Sequence, residues 1–430
     1  MTETAALLEN PNIPDDIVAV LLDPNAYADD SIYDAYAWLR DNKPVGLVDH
    51  PDFHPFWVVT RYKDVQAIGL NSATFKSGER SYNLCDRKSV EHVLKINDGD
   101  PNLIKSLVAM DAPEHSVYRK LTQNWFMGTN LKKREDEIRE IAKRAVDDMI
   151  AKGPDVDFVA DITTDYPLRV IMNILGVPES SWPLMLRLTQ QNFGTKDPEL
   201  SGEAEPLKEE QYAEFMHAMV KAFTAFFKDI SEERRRDPQE DLTSIIANAT
   251  INGAQIPFDA EMGYYITIVT GGHDTTSSST ATAIWEMARN PAILAKVKAD
   301  PSLIPNLVDE AVRWTTPVKH FMRTAATDTL IGEQPVAQGD WIMLCYGSAN
   351  RDAAVFPAEF TVDSAPNRHV GFGYGPHLCL GQHLAKMEMR ILFEELLPRI
   401  KSVKLRGEPT RSIDWFVNGP KSVPVTFEYE

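Results

Sequence analysis

The chain has 430 residues, of which 43% are hydrophobic and 25% are charged, and its formal net charge is −19. This composition is typical of a globular protein with a sizeable core, whereas the acidic balance argues against binding to nucleic acid or to acidic membranes. No apolar run reaches the roughly 18 residues that a membrane-spanning helix needs, so no membrane span is predicted.

The N-terminus and the cysteines indicate the compartment. The first ten residues lack the basic and apolar regions of a signal peptide. Cys85, Cys345 and Cys379 include no closely spaced pair, so a disulfide framework is not expected. Both observations favour a reducing cytoplasm.

The first half of the chain predicts a few short strands and then many helices. Residues 56–60, Phe-Trp-Val-Val-Thr, predict a strand, and a short helix follows it. Residues 79–110 lack a sustained apolar period and predict a loop. From about residue 111 to residue 290, apolar residues three and four apart indicate helices, interrupted by a charged loop over 196–209. Loops of this size are often lids or binding loops.

The second half begins with one long helix. It is predicted over residues 258–290, ends at the following proline, and spans about 50 Å at 1.5 Å per residue. A strand over 340–345, an amphipathic helix over 380–400 and a strand over 423–429 follow. Because no repeat or flexible linker interrupts the chain, a single domain over residues 1–430 is predicted.

The most distinctive local pattern is Phe-Gly-Tyr-Gly-Pro-His-Leu-Cys-Leu-Gly over residues 372–381. Its glycines let the backbone turn tightly and approach a flat ligand closely. Cys379 lies at the start of the predicted helix, where free N–H groups and the helix dipole favour a thiolate. A thiolate can bind haem iron. Local reasoning leaves other readings open, namely an inert buried cysteine, or a zinc site with His377 and His383 that has too few ligands. A phosphate-binding loop is disfavoured because the Rossmann spacing is absent.

This segment resembles the Phe-x-x-Gly-x-x-x-Cys-x-Gly signature of the cytochrome P450 family. The resemblance implies that Cys379 is the axial ligand of the iron of haem b and that Phe372 shields its sulfur. It further implies that His377 binds a haem propionate and that Gly381 belongs to the cofactor-binding loop.

A second motif lies within the predicted long helix, where residues 270–279 read Thr-Gly-Gly-His-Asp-Thr-Thr-Ser-Ser-Ser. These poor helix formers predict a mid-helix distortion, and the alternative is a seam of small residues where another helix packs. The pattern resembles the family segment (Ala/Gly)-Gly-x-(Asp/Glu)-Thr, which lies across the haem face. The resemblance implies that Asp274 relays protons and that Thr275 holds a protonated oxygen intermediate.

Three further positions agree with the family. His115 and Arg119, in Asp-Ala-Pro-Glu-His-Ser-Val-Tyr-Arg, resemble the family's Asp-x-Pro-x-His-x-x-x-Arg segment, and Arg323 occupies another family position. The resemblance implies that all three bind haem propionates, since charge-assisted hydrogen bonds suit a buried carboxylate.

Glu310 and Arg313, three residues apart, resemble the family's structural Glu-x-x-Arg pair, whereas without that context they would be an ordinary exposed ion pair. One position departs from the family, because Ser364 stands where many bacterial relatives have an arginine. Arg368 or His369 is expected to complete the ion-pair network instead.

The resemblance covers essentially the whole chain and implies a mainly α fold with small β-sheets. In this cytochrome P450 fold, a triangular helical prism, the haem lies between the long central helix and the helix after the cysteine loop. The implied reaction is a monooxygenation that inserts one atom of O2 into a C–H bond. No reductase domain is expected after Cys379, so electrons should come from NAD(P)H through a reductase and a separate ferredoxin, of the 2Fe–2S type. A monomer is expected.

Two other classes of function are weighed against this one. A peroxide-driven or isomerising haem enzyme is disfavoured because it does not need the Asp274–Thr275 pair. A haem-binding sensor or electron carrier is disfavoured because the long loops resemble lids and no partner domain is evident.

The resemblance is strongest to the terpineol-hydroxylating branch, and family positions predict a substrate pocket. Its residues are Leu107, Val108, Phe193, Thr267, Thr270, Gly271, Val318, Phe321, Met322, Phe416 and Val417. Most of them are apolar, and Lys319 is the one nearby cation that could pair with a carboxylate, so a fatty acid is disfavoured. A monoterpene, a terpene alcohol or an alkyl-substituted aromatic is expected, with a larger apolar substrate such as a sterol as the alternative. For ferredoxin docking, the expected basic residues are Lys120, Lys386 and Arg390.

Overall fold

The computed structural model describes residues 10–430 except 204, 206 and 208, and gives the backbone but not the side chains of 209 and 210. The helices of six or more residues are α1 (Asp15–Leu21), α2 (Ile32–Asn42), α3 (Tyr62–Leu70), α4 (Arg87–Ile96), α5 (Glu114–Gln123), α6 (Glu135–Lys152), α7 (Tyr166–Leu175), α8 (Trp182–Phe193), α9 (Glu209–Arg236), α10 (Leu242–Ala247), α11 (Phe258–Arg289), α12 (Pro291–Ala299), α13 (Ile304–Thr315) and α14 (Gln382–Leu396). The strands are β1 (Val45–Val48), β2 (Phe56–Val59), β3 (Phe75–Lys76), β4 (Asp155–Asp157), β5 (Thr250–Ile251), β6 (Ala254–Gln255), β7 (His320–Ala325), β8 (Thr329–Ile331), β9 (Gln334–Val336), β10 (Trp341–Cys345), β11 (Ile400–Leu405), β12 (Thr410–Arg411), β13 (Pro420–Ser422) and β14 (Pro424–Tyr429).

The largest sheet has five strands in the order β1-β2-β10-β7-β3. Strands β2 and β10 pair in parallel at its centre, whereas the other pairs are antiparallel. Every residue of β2 and β10 is buried, because both faces of the sheet are covered here. Such strands form continuous apolar runs without alternation, which is why the sequence predicts both of them.

Helix α11 runs through the middle of the helical body and contacts α7, α8, α9 and α13. Most of its residues are buried on all sides, as expected for a helix at the centre of a large core. The predicted long helix is confirmed, and α11 is α-helical without a break through residues 270–279. The hydroxyls of Thr270 and Thr275 donate to the carbonyl oxygens of Ile266 and Gly271, one turn back, at 2.7 and 2.8 Å. Such hydroxyls compete with the main chain for carbonyl oxygens one turn back.

Two predicted loops contain helices. Residues 79–110 include α4, where the Asp86 carboxylate accepts a hydrogen bond from the Ser89 N–H at 2.8 Å and caps the helix. The loop predicted over 196–209 includes the short helix Pro198–Ser201, and residues 204, 206 and 208 lie outside the described residues. The last helix is shorter than predicted, whereas the predicted C-terminal strand agrees with β14.

Glu310 and Arg313 form a fully buried ion pair on α13, not an exposed one. Both side chains have 0% exposure, and Arg313 Nε and Nη2 donate to the two carboxylate oxygens at 2.7 and 2.6 Å. The side-chain amide of Asn367 also donates to Glu310, at 2.8 Å. The expectation that Arg368 or His369 completes this network is therefore wrong. The His369 ring lies instead 3.7 Å from the carboxylate of Asp309.

In the described part of the chain, no helix has both the length and the apolar character needed to cross a bilayer.

Candidate active site

A cavity that is partly open to solvent lies between α11 and the glycine-rich loop that precedes α14, and the empty space of the cavity together with its open mouth is about 1890 Å3. Side chains from the 104–108 segment, the end of α8, α11, β7 and the turn at 416–417 line it. Ten of the predicted substrate-pocket residues lie on its wall, namely Leu107, Val108, Phe193, Thr267, Thr270, Gly271, Val318, Phe321, Phe416 and Val417.

Met322, the remaining predicted pocket residue, does not line the cavity. Side chains alternate between the two faces of a strand, and Phe321 and Arg323 of β7 face the cavity. Met322 therefore points to the other face, where it is fully buried in the hydrophobic cluster that contains Trp341. Its assignment as a substrate contact is wrong.

The cysteine loop presents one thiol to the cavity. Gly375 has a φ of +73°, and a Cβ built on it would lie 2.2 Å from the carbonyl oxygen of Gly69, so no other residue fits there. Phe372 lines the cavity too, and its carbonyl oxygen accepts a hydrogen bond from the Cys379 N–H at 2.8 Å. Cys379 lies deep in the protein, and the surface that it exposes is cavity surface.

The surroundings of Cys379 act on the pKa of its thiol in opposite directions. Burial raises the pKa of its thiol, while the backbone N–H groups of Gly381 and Gln382 and the guanidinium of Arg119 oppose that rise by favouring the thiolate. The other two cysteines lie away from the cavity wall, and burial raises the pKa of both Cys85 and Cys345. Cys379 is therefore the thiol suited to bind a metal inside the cavity.

The zinc alternative lacks its ligand set. The His377 ring packs against the His115 ring at a tilt of 33°, with centroids 4.2 Å apart, and its Nε2 lies 3.2 Å from the Ser77 hydroxyl. Among the described residues, no three His, Cys, Asp or Glu side chains come close enough together to hold a metal ion.

Four basic side chains line one region of the cavity wall: His115, Arg119, Arg323 and His377. Burial, together with the charges of Arg323 and Arg119 and the neighbouring His115 ring, lowers the pKa of His377 to about 2. Burial and Arg119 also lower the pKa of His115, and its buried Nε2 has no hydrogen-bond partner. A buried cluster of this kind is complementary to a dianion, because carboxylates would satisfy the free donors and relieve the repulsion. The two propionates of haem fit this requirement, and the thiol of Cys379 beside the cluster fits its iron.

The motif on α11 divides between the cavity and the protein interior. Thr275 lines the cavity, but Asp274 does not. The Asp274 side chain is 23% exposed and turns toward His273, whose Nδ1 lies 3.3 Å from Asp274 Oδ1, while the buried Oδ2 has no hydrogen-bond partner. A carboxylate next to the cavity wall but outside it can carry protons without occupying substrate space.

Glu388 is a cavity-lining residue that sequence reasoning missed. It lies on α14 with 2% exposure, and burial raises its pKa well above the usual range, against a hydrogen bond from Thr276. The sequence contains a signal for this position. Glu388 lies four residues after Leu384 and three before Ile391, so the helical period places this glutamate on the buried face of α14.

The cations expected to bind a substrate carboxylate or a partner are mostly engaged elsewhere. Lys319 is buried outside the cavity, where its ammonium donates to the Thr315 carbonyl at 2.7 Å. Lys386 binds Asp309 at 2.6 Å, and Arg390 binds Glu135 and Glu394. Lys120, by contrast, is exposed on α5.

A thiol that faces a cavity beside a cluster of basic residues, opposite a hydroxyl-bearing helix, is the arrangement that a haem-thiolate oxidoreductase requires. Comparison with known proteins specifies the family. The family model for cytochrome P450 matches residues 50–427, and the chain belongs to this family. Its fold is the mainly helical cytochrome P450 fold with small sheets that the sequence predicts.

Three relatives illustrate the similarity. Cytochrome P450-terp from a Pseudomonas species is 46% identical over 419 residues, which cover 96% of this chain and 98% of the relative. Linalool 8-monooxygenase from Pseudomonas putida is 31% identical over 412 residues, which cover 94% of this chain and 98% of the relative. The crystal structure of CYP108D1 from Novosphingobium aromaticivorans superimposes with a TM-score of 0.91 at 42% identity, over 98% of this chain and 100% of that one. The chain is thus an enzyme of the monooxygenase class.

Proposed function

We propose that this protein hydroxylates compact neutral terpenoids or alkyl-substituted aromatic compounds. In the balanced reaction, one C–H bond, O2, NAD(P)H and one proton give the C–OH product, water and NAD(P)+. The electrons pass from NAD(P)H through a separate reductase and a 2Fe–2S ferredoxin.

The observation that carries the substrate class is the distribution of polarity on the cavity wall. Phe193, Val318, Phe321 and Phe416 contribute apolar surface, and the threonines of α11 contribute isolated hydroxyls. Arg119 and Arg323 are the two arginines on the described wall, and both belong to the basic cluster beside Cys379. Away from that cluster a substrate carboxylate would be buried unpaired, whereas a neutral hydrocarbon gains roughly 25 cal/mol for each Å2 that it buries.

The residues of the cavity fit haem b in two respects. Cys379 is proposed as the iron ligand, and His115, Arg119, Arg323 and His377 as the partners of the propionates. When bound, the haem supplies the site at which O2 is reduced, with its thiolate ligand favouring O–O cleavage.

The remaining chemistry is proton delivery, which we assign to the motif on α11. Thr275 Oγ1 donates to the Gly271 carbonyl at 2.8 Å, so its lone pairs remain available to accept a hydrogen bond from the cavity side. The carboxylate of Asp274, on the adjacent residue and partly exposed, is suited to carry protons from solvent. The apolar wall limits the entry of other water.

The proposed ferredoxin would dock near Lys120, since Lys386 and Arg390 already pair with acids of this chain. The net charge of −19 makes a local basic surface necessary for an acidic partner.

A larger apolar substrate is the second candidate. The similarity to a steroid C26-monooxygenase, 31% identical over 93% of this chain, favours it. The similarity to linalool 8-monooxygenase and to a P450 crystallised with pseudoionone, 28% identical, favours the compact class.

A spin-state titration of the haem-loaded protein tests the proposal. Linalool, α-terpineol and p-cymene are expected to shift the haem to high spin, and NADH-driven turnover with a ferredoxin and its reductase should yield hydroxylated products. A shift with cholesterol or lauric acid, and none with the three compact compounds, would contradict the proposed substrate class. Binding without oxygenated product would contradict the monooxygenase reaction.

A further inference from the structure

One residue of the α11 motif has no role in the reaction described so far. His273 has 1% exposure and lies where α11 packs against α8 and the segment before α7. Its Nε2 lies 2.7 Å from the carbonyl oxygen of Thr164. Its Nδ1 lies 3.0 Å from the hydroxyl of Thr189 and 3.3 Å from Oδ1 of Asp274.

These contacts determine where protons must be. A carbonyl oxygen only accepts, so Nε2 carries a hydrogen. If Nδ1 were unprotonated and Asp274 ionised, two lone pairs would face each other inside the protein. A proton shared between the imidazole and the carboxylate removes this repulsion and gives Nδ1 a hydrogen to donate. The Thr189 hydroxyl is compatible with a donating Nδ1, because it gives its own hydrogen to the Leu186 carbonyl at 2.8 Å and can accept.

The surrounding charges favour the imidazolium. Burial lowers the pKa of His273, but the charge and hydrogen bond of Asp274, the Thr164 carbonyl and the more distant Asp165 outweigh it, so the pKa is raised above its ordinary value of 6.5. Asp165 itself binds Arg169 at 2.5 Å. The element α8 presents the neutral hydroxyl of Thr189 to the ring.

The pair is placed next to the proposed site of proton use. Thr275, the next residue along α11, lines the cavity, whereas Asp274 turns away from it toward His273. The second carboxylate oxygen of Asp274 is buried without a hydrogen-bond partner, so the His273 side holds the carboxylate through one oxygen only.

We propose that His273 is a positioning residue that holds Asp274 away from the cavity and keeps a proton on the pair, ready for delivery past Thr275. The inference rests on the proposed monooxygenase reaction. In the delivering step Asp274 takes the proton from Nδ1 of His273, turns from the ring toward the cavity and gives the proton to the oxygen that is being reduced beside Thr275. The carboxylate then turns back, and a proton from solvent restores the imidazolium.

The test compares His273→Gln with His217→Gln, the same substitution at an exposed histidine of α9. Glutamine cannot become cationic, so Asp274 loses its charged partner while α11 keeps a polar side chain. With linalool as substrate, kcat of the His273 variant is expected to fall about tenfold and hydrogen peroxide to rise at the expense of product, with KM within twofold of the wild type. The His217 control should match the wild type in kcat, in KM and in the share of electrons that go to hydrogen peroxide.

A pH series separates positioning from simple packing. A raised pKa means that the paired form is complete below the ordinary histidine value and is lost as the pH rises through the folded-state value. In the wild type, the fraction of electrons that end in hydroxylated product should therefore fall as the pH rises. In the His273 variant this fraction should not depend on pH in the same range. The difference in unfolding free energy between the two proteins should likewise be largest at acidic pH and shrink as the pH rises.

The unfolding series requires no substrate, so it still tests the His273–Asp274 pair if none of the three compact compounds binds. Unchanged coupling in the His273 variant, or a stability difference that does not vary with pH, would overturn the proposal. Failure of every compact compound to shift the spin state would overturn only the substrate class.

Discussion

Replacing Arg313 by methionine should destabilise the protein by about 3–5 kcal/mol, because it leaves Glu310 charged and buried without its cation. Arg313 donates two hydrogen bonds to Glu310 and a third to the Asn350 carbonyl at 2.8 Å. Hydrogen bonds to charged groups contribute about 1.5–3 kcal/mol each, and the amide of Asn367 and the N–H of Thr361 retain part of the carboxylate's solvation.

Urea unfolding of the haem-loaded protein, followed by tryptophan fluorescence and by haem absorbance, measures this loss. The matched control is Arg134→Met, because Arg134 and Glu137 form a pair with the same spacing, with 26% and 47% side-chain exposure. The control should lose no more than about 0.5 kcal/mol. The double variant Glu310→Gln with Arg313→Met should recover part of the lost unfolding free energy, because it leaves no buried charge without a partner. If Arg313→Met costs no more than the surface control, the buried network does not contribute as its geometry implies.

Four other predictions concern the site. Cys379→Ser should abolish the red-shifted absorption of the reduced carbon monoxide complex, and the same change at the other two cysteines should preserve it; a normal spectrum in the Cys379 variant would refute its assignment. Thr275→Ala should divert electrons from product to hydrogen peroxide while haem binding survives, and unchanged coupling would mean that the hydroxyl serves packing alone. Gly375→Ala should lower haem incorporation several-fold, measured as haem per protein, since its φ of +73° and its contact with a neighbouring backbone leave no room for a side chain; normal loading would contradict this. Lys120→Glu should weaken ferredoxin binding, more at low salt than at high salt, and a salt-independent affinity would place docking elsewhere.

The sequence predicts those parts of the site whose residues lie close together along the chain. The loop around Cys379 and the motif on α11 each lie within ten residues, so the type and order of residues suffice to identify them. The two central strands are predicted because they are continuous apolar runs. Strand alternation excludes Met322 from the cavity wall once Phe321 and Arg323 face the cavity, so this position can be corrected from the strand pattern alone.

The contacts that escaped prediction depend on tertiary structure or on an unusual local geometry. Asn367 reaches Glu310 from a loop far along the chain, and no periodicity predicts such a contact. The contact between His273 and Asp274 could not be predicted from helical spacing, because adjacent residues do not normally face each other on a helix. Helix α4 was missed because its apolar period lasts for only two turns.

The parallel pairing of β2 with β10 also has a consequence for biosynthesis. Phe56 pairs with Trp341, so most of the chain must leave the ribosome before the central sheet can close. At about 5–20 residues per second this delay is on the order of tens of seconds. Throughout that time the Phe-Trp-Val-Val strand, which is wholly buried in the finished fold, lacks its central partner and has the composition of an aggregation-prone segment. The yield of protein from an expression host should therefore depend on growth temperature and chaperone supply more than the stability of the folded enzyme would suggest.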